Sequence, residues 1–380
     1  LASRRAGKPT VPHPYVYEPV GSWVYEEVDR QIAQGNLRDL YPHSRLLPRA
    51  LIAARVAQAL HEGKSSVGLM RLARELAWEG RMMGLDLPFQ DTRPLATFGP
   101  TRSQVKFNGL LSAGGTFMKH EAPDFANQSL VGFRGTYWGA PGFSLMGEYV
   151  VTQIPEAARF GDPVVEDTEI QFWVPRFSLA WHASFFELWA GHDNLRWGPG
   201  RDGGLMVGGG SSPYSHLGYR VHVGTFATAS AVHGWLSQPE GRYAAYHRVE
   251  FNLGKGVIFG LGEGVRYDGT APEPVYLLNV VPYAAAERLL SSETEGGVEV
   301  RDELVRSNVL FGTDLYWRWS PGWAAYGELM IDDVKTTEGD VPTRLAYQLG
   351  ATGVFEGRHR LTLQAEYSRV YNYTYTVFYG

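Results

Sequence analysis

The sequence predicts an all-β transmembrane antiparallel β-barrel of about 16–18 strands, preceded by a small N-terminal α-helical region. Three observations support this prediction. Beyond about residue 100, apolar and polar residues alternate with the period of two that is typical of strands. Aromatic residues are abundant (21 Tyr, 18 Phe, 11 Trp), although the mean hydropathy is only −0.23. The first 95 residues have a helical period instead.

The N-terminal region has the apolar spacing of short amphipathic helices. Ser22 is a suitable N-cap for a first helix that ends at Gly35. A second helix is expected from about Pro48 to Gly63, and a third begins near Ser65. Their apolar rows are Val24, Val28 and Ile32; Ile52, Val56 and Leu60; and Leu69, Leu72 and Leu76.

Two domains are therefore expected: residues 1–95 as a helical region on the periplasmic side, and residues 96–380 as an outer-membrane β-barrel. The apolar rows of the helices are too short to span lipid, so they should pack against the barrel or a partner. Arg71 and Glu75 are available as an exposed pair on the third helix. Removal of residues 1–90 should leave a barrel that folds.

The alternation is clearest in residues 309–331, where two strands meet at the turn Ser320-Pro321-Gly322. Proline and glycine occupy the positions that a type II turn requires. One face of the first strand carries apolar residues such as Leu315, and the other carries charged residues such as Asp314.

Two architectures produce such alternation. In a soluble sandwich the apolar face points inward, whereas in an outer-membrane barrel it meets lipid and aromatic residues ring both interfaces. Trp319 and Trp323 bracket one tight turn, as an aromatic girdle requires. Strands of ten or more residues with charged inward positions fit a wide, wet interior. The barrel interpretation is therefore favoured.

Composition excludes several classes of function. The formal net charge is −5, so the chain has no global basic field for nucleic acid. Cysteine is absent, which excludes disulfides and cysteine-ligated metals. The eleven histidines show no metal-ligand spacing, and we expect neither a metal nor another cofactor.

The glycine-rich stretch "NLRWGPGRDGGLMVGGG", residues 194–210, invites comparison with phosphate-binding loops. A Walker loop needs Gly-Lys-Ser/Thr at the start of a helix, and a dinucleotide fingerprint needs a helix after its last glycine. No helix former follows here. The stretch is therefore interpreted as a loop folded into the barrel lumen.

His192 and Asp193 suggest a hydrolase, because some outer-membrane barrels carry catalytic residues near the outer rim. No serine has a recognisable nucleophile context, however, and adjacent residues of a strand point to opposite faces. We expect no catalytic residues; His192 is the one candidate to test.

The hairpin of residues 246–269 carries charged residues on both of its strands. One interpretation is a lumenal salt-bridge network; the other is a site for sugar hydroxyls and carboxylates, which arginine forks and aromatic faces suit. Together with the glycine-rich loop, this hairpin supplies the candidate ligand-binding residues Trp197, Arg201, Tyr246, Arg248, Glu250, Glu263 and Arg266.

Several stretches, in order along most of the chain, together resemble the Wzi-like capsule assembly family of bacterial outer-membrane proteins. They are "SWVYEEVDRQIAQG", "RLARELAWEG", "AGHDNLRWGPG", "YHRVEFNLGKGVIFGLGEGVRYDG", "VYLLNVVPY", "NVLFGTDLYWRWSPGWAAYGELMIDD" and "EYSRVYNYTY". The family's Gly-Pro-Gly signature is matched by residues 197–200, and a second family stretch by Tyr246, His247, Arg248 and Glu250.

The resemblance implies a bacterial outer-membrane barrel with helices at its periplasmic end. It also implies a surface lectin that binds or anchors extracellular, capsular polysaccharide without catalysis or cofactor. The expected partners are this polysaccharide, outer-membrane lipid and lipopolysaccharide, and periplasmic or outer-membrane export proteins. A diffusion porin for small solutes is the alternative, and an outer-membrane hydrolase is the third.

The direction of the strands gives an expectation for the end of the chain. Tight turns normally lie on the periplasmic side, so the strand after Pro321-Gly322 runs outward and the strand from about Arg358 runs outward again. Residues 360–379 contain no proline or glycine that would reverse the chain. We therefore expect the given sequence to stop short of a closing strand.

Overall fold

The computed structural model describes residues 16–89, 96–98, 104–119, 123–139, 142–153, 171–183, 185–201, 203–209, 213–237, 241–278, 281–286, 307–332, 344–356 and 360–371. The helices are α1 (Trp23–Ala33), α2 (Arg49–His61), α3 (Val67–Glu75), α4 (Ala77–Met82) and α5 (Pro274–Leu278). None of the described helices is long and apolar enough to cross a membrane. The strands are β1 (Ser44–Arg45), β2 (Ala96–Phe98), β3 (Gln104–Lys119), β4 (Pro123–Gly139), β5 (Phe143–Gln153), β6 (Gln171–His182), β7 (Phe186–Asp193), β8 (Arg196–Trp197), β9 (Tyr214–Val223), β10 (Ala227–Ser237), β11 (Arg242–Gly254), β12 (Val257–Asp268), β13 (Ser307–Ser320), β14 (Trp323–Asp332), β15 (Leu345–Glu356) and β16 (Arg360–Val370).

The three predicted N-terminal helices are present, and a fourth, α4, follows them. The Ser22 hydroxyl caps α1 by accepting a hydrogen bond from Val24 N at 3.1 Å, as predicted. Ser66, rather than Ser65, caps α3 by accepting from Leu69 N at 3.0 Å. The apolar rows of α1, α2 and α3 meet in one buried core, which includes Val28, Ile52, Val56, Leu69 and Leu72.

Arg71 and Glu75, which were predicted to form an exposed pair, have other partners. The Arg71 guanidinium lies 4.3 Å from the ring centroid of Trp23. The Glu75 carboxylate accepts from Arg49 Nη2 at 3.1 Å. Arg49 also donates from Nε to Glu79 at 2.6 Å. Although burial opposes it, the Glu79 carboxylate raises the pKa of Arg49 above its usual range, so this cation ties α2 to α3 and α4.

Fourteen of the described strands form a single antiparallel sheet. Neighbours in the sheet follow the chain order from β2 to β7 and from β9 to β16, so each strand pairs with the one before and the one after it. β8 stands outside this sheet and pairs with β1. The predicted turn at Pro321-Gly322 joins β13 to β14, and Gly322 has the positive φ of 84° that its turn position requires.

Outward-facing positions of the sheet carry exposed apolar side chains. Leu315 is 46% exposed, whereas its neighbour Asp314, on the opposite face, is 5% exposed. The rings of Trp319 and Trp323 stack 6.4 Å apart beside the tight turn. The same pattern recurs across the sheet at Leu145, Leu179, Leu188, Leu261, Leu349, Leu361 and Leu363. This arrangement, apolar outside and polar inside, confirms the predicted β-barrel class.

In the described part of the chain, β2 and β16 are the two edges of the sheet, and no ladder closes it. The total of about 16–18 strands stays a prediction. The expected course of the chain beyond residue 371 lies outside the described residues.

Candidate functional site

The glycine-rich loop lies in the lumen, as the sequence predicted. Its strand β8 pairs with β1 of the N-terminal segment, so that Trp197 lies opposite Ser44. Gly198 N donates to the His43 carbonyl at 2.8 Å, and Trp197 N donates to the Val207 carbonyl at 3.0 Å. Residues 43–47 and the described residues of 194–209 therefore form one unit inside the barrel, which we call the plug.

Glycine is required in the plug because its backbone strands lie very close together. A Cβ added at Gly204 would lie 2.1 Å from the Trp197 carbonyl oxygen. A Cβ at Gly200 would lie 2.5 Å from Gln348 Oε1 on the barrel wall. The glycines of this stretch thus serve close packing, and the next element that the structure describes is strand β9 rather than a helix that could bind a phosphate.

Charged side chains of the barrel wall satisfy the polar backbone of the plug. The Glu328 carboxylate accepts hydrogen bonds from Gly200 N at 2.6 Å and from Leu205 N at 3.0 Å. On the other side, Arg220 Nη2 donates to the carbonyl oxygens of Ser44 and Leu46, both at 2.9 Å. Buried backbone groups need such partners, so the wall and the plug are matched to each other.

A buried ionic cluster joins the plug to β11 and β13. Arg248 donates from Nη1 and Nη2 to the Asp314 carboxylate, the second bond being 3.0 Å long. The Ser44 hydroxyl donates to Glu250 Oε2 at 2.6 Å and accepts from Arg248 Nε at 3.1 Å. Both residues of the predicted pair Arg248 and Glu250 are thereby engaged in holding the plug.

The ring of His43 in the plug lies beside this cluster without a hydrogen bond to it. Its Nδ1 is 3.7 Å from Asp314 Oδ1 and 3.8 Å from Glu250 Oε1, distances too long for hydrogen bonds. Burial lowers the pKa of His43 to about 3, so the ring is neutral and these contacts are not ion pairs. The ring packs edge-on against Tyr316, with centroids 5.4 Å apart.

A row of glycines on β12 and β13 makes room for the plug. A Cβ at Gly260 would lie 2.2 Å from Arg248 Nη2, and one at Gly312 would lie 1.9 Å from Met206 Sδ. Gly264 likewise faces the Tyr246 ring. Since glycines at 260, 262 and 264 all face inward, the residues between them face the membrane.

Trp197 and Arg201 lie within the plug rather than on its surface toward the cell exterior. Trp197 is 3% exposed and packs edge-on against Tyr246, with centroids 6.0 Å apart. Arg201 donates from its backbone N to Glu366 and from Nη1 to Gln364, both at 2.9 Å. The Arg201 side chain therefore fastens the loop to β16.

Tyr246 and Arg266 lie on the inner wall, toward the ends of β11 and β12 that are remote from the tight turn between them. Tyr246 is half-buried against Trp197, and Arg266 is exposed. Of the seven predicted residues, these two are the inner-wall residues whose side chains do not hold the plug by a hydrogen bond given above.

The prediction that Glu263 adds charge to the lumen is wrong. Glu263 pairs with His247 and Phe311 across the ladders, and all three lie on the outward face. Its carboxylate accepts from Tyr283 N at 2.8 Å and from Ala284 N at 2.9 Å. The reason is parity: residues 263 and 266 are three apart, so they cannot share a face of a regular strand.

His192 also faces outward, whereas Asp193 faces the lumen. The His192 ring stacks on Phe177, with centroids 6.3 Å apart, and its Nδ1 lies 3.2 Å from Ser215 Oγ. Asp193 lies 3.5 Å from Arg176 Nε. The two side chains are on opposite sides of the wall, as the alternation of a strand requires.

Sequence patterns missed the residues through which the plug is held. Ser44, His43 and Arg220 carry no local motif, since their contacts join positions more than 170 residues apart. Asp314 was recognisable as an inward charge, but its pairing with Arg248 was not. The matched polar contacts hold the plug in the lumen, and the predicted residue Arg266 lies on the wall outside it.

Comparison with known proteins supports the fold. A solved structure described as Wzi, a carbohydrate-binding β-barrel and outer-membrane protein involved in group 1 capsule assembly in Escherichia coli, aligns with a TM-score of 0.58. The alignment covers 95% of this chain and 74% of that one, at 16% identity. This similarity and the outward apolar surface confirm a Wzi-like fold and the expected outer-membrane location.

Two structures of OmpT, an outer-membrane protein of Vibrio cholerae, align less well. One, with loop L8 deleted, has a TM-score of 0.40 at 14% identity, over 70% of this chain and 82% of that one. The in-vitro folded form has a TM-score of 0.31 at 11% identity, over 70% and 87%. No protein-family model matches this sequence, and no curated protein compared with it is significantly similar.

Proposed function

We propose that this barrel belongs to the Wzi-like proteins and binds or anchors capsular polysaccharide at the cell surface without catalysis. The observation that carries the proposal is the plug: wall charges satisfy its backbone, as Glu328 does for Gly200 N and Leu205 N. A seal that is built into the wall suits a binding protein better than a channel.

Carbohydrate is the favoured ligand for two reasons. The solved structure with the similar fold is described as carbohydrate-binding and involved in capsule assembly. Above the plug of this chain, Tyr246 offers an aromatic ring and Arg266 offers an exposed guanidinium. Aromatic faces pack on sugar rings, and a guanidinium donates paired hydrogen bonds to hydroxyls or to uronic carboxylates.

Binding should be tested with purified capsular polysaccharide and with cells. Arg266→Ala should weaken polysaccharide binding by about tenfold, the loss expected for one charge-assisted contact. Lys255→Ala removes the same charge at the tight turn between β11 and β12 and should leave binding unchanged. Deletion of the protein should release polysaccharide from the cell surface while secretion continues. Equal binding by the two variants would contradict this assignment of the site.

The diffusion porin remains the alternative, and conductance separates it from the proposal. In planar bilayers the plugged barrel should pass little current, because both plug segments lie against the inner wall and pair with each other there. A large, steady conductance of the full chain would favour the porin.

An outer-membrane hydrolase is the third candidate. His192 stacks on the outward Phe177, so His192→Ala should leave any product release unchanged. Product release that depends on His192 would support the enzyme instead.

A further inference from the structure

Residues 281–286 dock on the membrane side of the barrel wall. The backbone amides of Tyr283 and Ala284 donate to the Glu263 carboxylate at the start of a short helical turn. His247 Nε2 lies 3.0 Å from the same carboxylate, and its ring lies 4.4 Å from the ring of Tyr283. The Glu263 carboxylate, on the lipid-facing side of β12, thus holds residues 281–286 against the outside of the wall. We call residues 281–286 the overhang.

Directly beside this overhang, a cavity of about 480 Å³ opens on the outward face of β11 to β14. Its walls are mainly apolar and include Val249, Leu261, Phe311 and Leu329. His247 and Glu263 lie at one end of it, and the other polar residue of its lining is Thr313. We call this cavity the outer groove. It is continuous with the lipid-facing surface, since Leu261 is 47% exposed on the same row.

The outer groove lies in the half of the barrel remote from the tight turns. Leu329 and Ile331 are near the end of β14, which starts at the turn, and Phe311 is near the start of β13, which ends there. Tight turns mark the periplasmic side, so this half faces the outer leaflet. In bacterial outer membranes that leaflet is formed by lipopolysaccharide.

We propose that the outer groove is a binding site for one acyl chain of lipopolysaccharide. An apolar cleft that opens into a bilayer is filled by hydrocarbon, because burial of apolar surface is favourable and no water is present there. At the polar end, His247 Nδ1 is buried and has no hydrogen-bond partner among the described residues. Acyl chains of lipid A carry hydroxyl groups close to their attachment, and such a hydroxyl donates to Nδ1, because His247 Nε2 is the nitrogen that donates to Glu263.

The test is a titration of the delipidated full-length protein in detergent, with bound lipid counted by native mass spectrometry. Deep-rough lipopolysaccharide is one ligand and phosphatidylethanolamine is the other. The wild-type protein should saturate at one lipopolysaccharide. Thr313→Trp and Leu329→Trp, which fill the groove from neighbouring strands, should each weaken binding at least tenfold. Leu349→Trp, an outward position that does not line the groove, should bind like wild type.

Heat-modifiable electrophoresis shows which variants are folded, and either groove variant suffices if the other fails to fold. Lipopolysaccharide binding by the wild type that never saturates would overturn the proposal without any variant. Equal binding by a folded groove variant and by Leu349→Trp would also overturn it. Saturation by phosphatidylethanolamine with equal affinity would overturn the assignment to lipopolysaccharide. The polysaccharide-binding proposal is unaffected by these outcomes, because Arg266 faces the lumen.

Discussion

The inner and outer faces of the same strands have opposite requirements. On β13, Asp314 is buried and paired with Arg248, whereas the next residue, Leu315, is 46% exposed. The outer face needs only to be apolar, since lipid accepts any hydrocarbon surface. The inner face needs specific partners, since the plug presents backbone groups that must each be satisfied. An inward polar residue therefore needs one particular partner, whereas an outward apolar residue can be exchanged for another apolar residue.

Removal of the N-terminal segment should have the largest effect on the inner face. Without residues 1–90, β8 loses its partner β1, and Arg220 and Glu250 lose their contacts with Ser44. The remaining barrel should still fold and insert, but it should now conduct ions steadily in planar bilayers. Complete failure to fold would show instead that the helices are part of the barrel core.

Removal of one partner from the inner ionic cluster should have the next largest effect. Arg248→Met leaves the buried Asp314 carboxylate without its cation, which should lower the free energy of unfolding by about 3–5 kcal/mol. The double variant Arg248→Met/Asp314→Leu should recover much of this loss. Urea denaturation followed by tryptophan fluorescence measures both, and Lys255→Met is the control for loss of an exposed charge. If the double variant is no more stable than Arg248→Met, the unpaired Asp314 carboxylate is not the cause of the lost stability.

On the inner face the loss of a charge is destabilising, whereas on the outer face the addition of a charge should be destabilising. Leu315→Arg places a cation in lipid. It should make insertion into the bilayer less favourable by about 2–4 kcal/mol near the midplane. Ser368→Arg adds the same side chain at an inward position of β16, opposite the buried Gln348, and should be tolerated. Folding into lipid vesicles measures both. Equal tolerance of arginine at the two positions would contradict the assignment of the faces.

The features of this structure that depend on residues close together in the chain could be predicted from the sequence. Alternation predicted the two faces of β13 and β14, the Pro321-Gly322 turn was recognisable, and the Ser22 cap was placed correctly. The glycine-rich loop was expected in the lumen because no helix follows it. Its partner was not predictable, because the pairing of Ser44 with Trp197 joins distant segments without any motif.

The candidate site was predicted less well than the fold. Arg248 and Glu250 were identified as important residues, but the structure uses them to hold the plug. Charge alone cannot tell a ligand contact from a structural contact, because both need the same side chains. Glu263 was assigned to the lumen by its charge, although strand parity alone places it on the membrane side.

The smallest change that should loosen the plug itself is the addition of a single methyl group. In Gly204→Ala the new Cβ would lie 2.1 Å from the Trp197 carbonyl oxygen and 2.7 Å from that of Val207, so the bridge between these residues must open. Overpacking of this kind costs about 1–3 kcal/mol, which should destabilise the loop without unfolding the barrel. We therefore expect brief current openings in planar bilayers at unchanged insertion. Gly203→Ala is the matched control, because no described residue other than its chain neighbours has an atom within 4 Å of its Cβ position, and it should stay closed. If Gly204→Ala stays closed as well, the seal does not depend on the close packing of the loop.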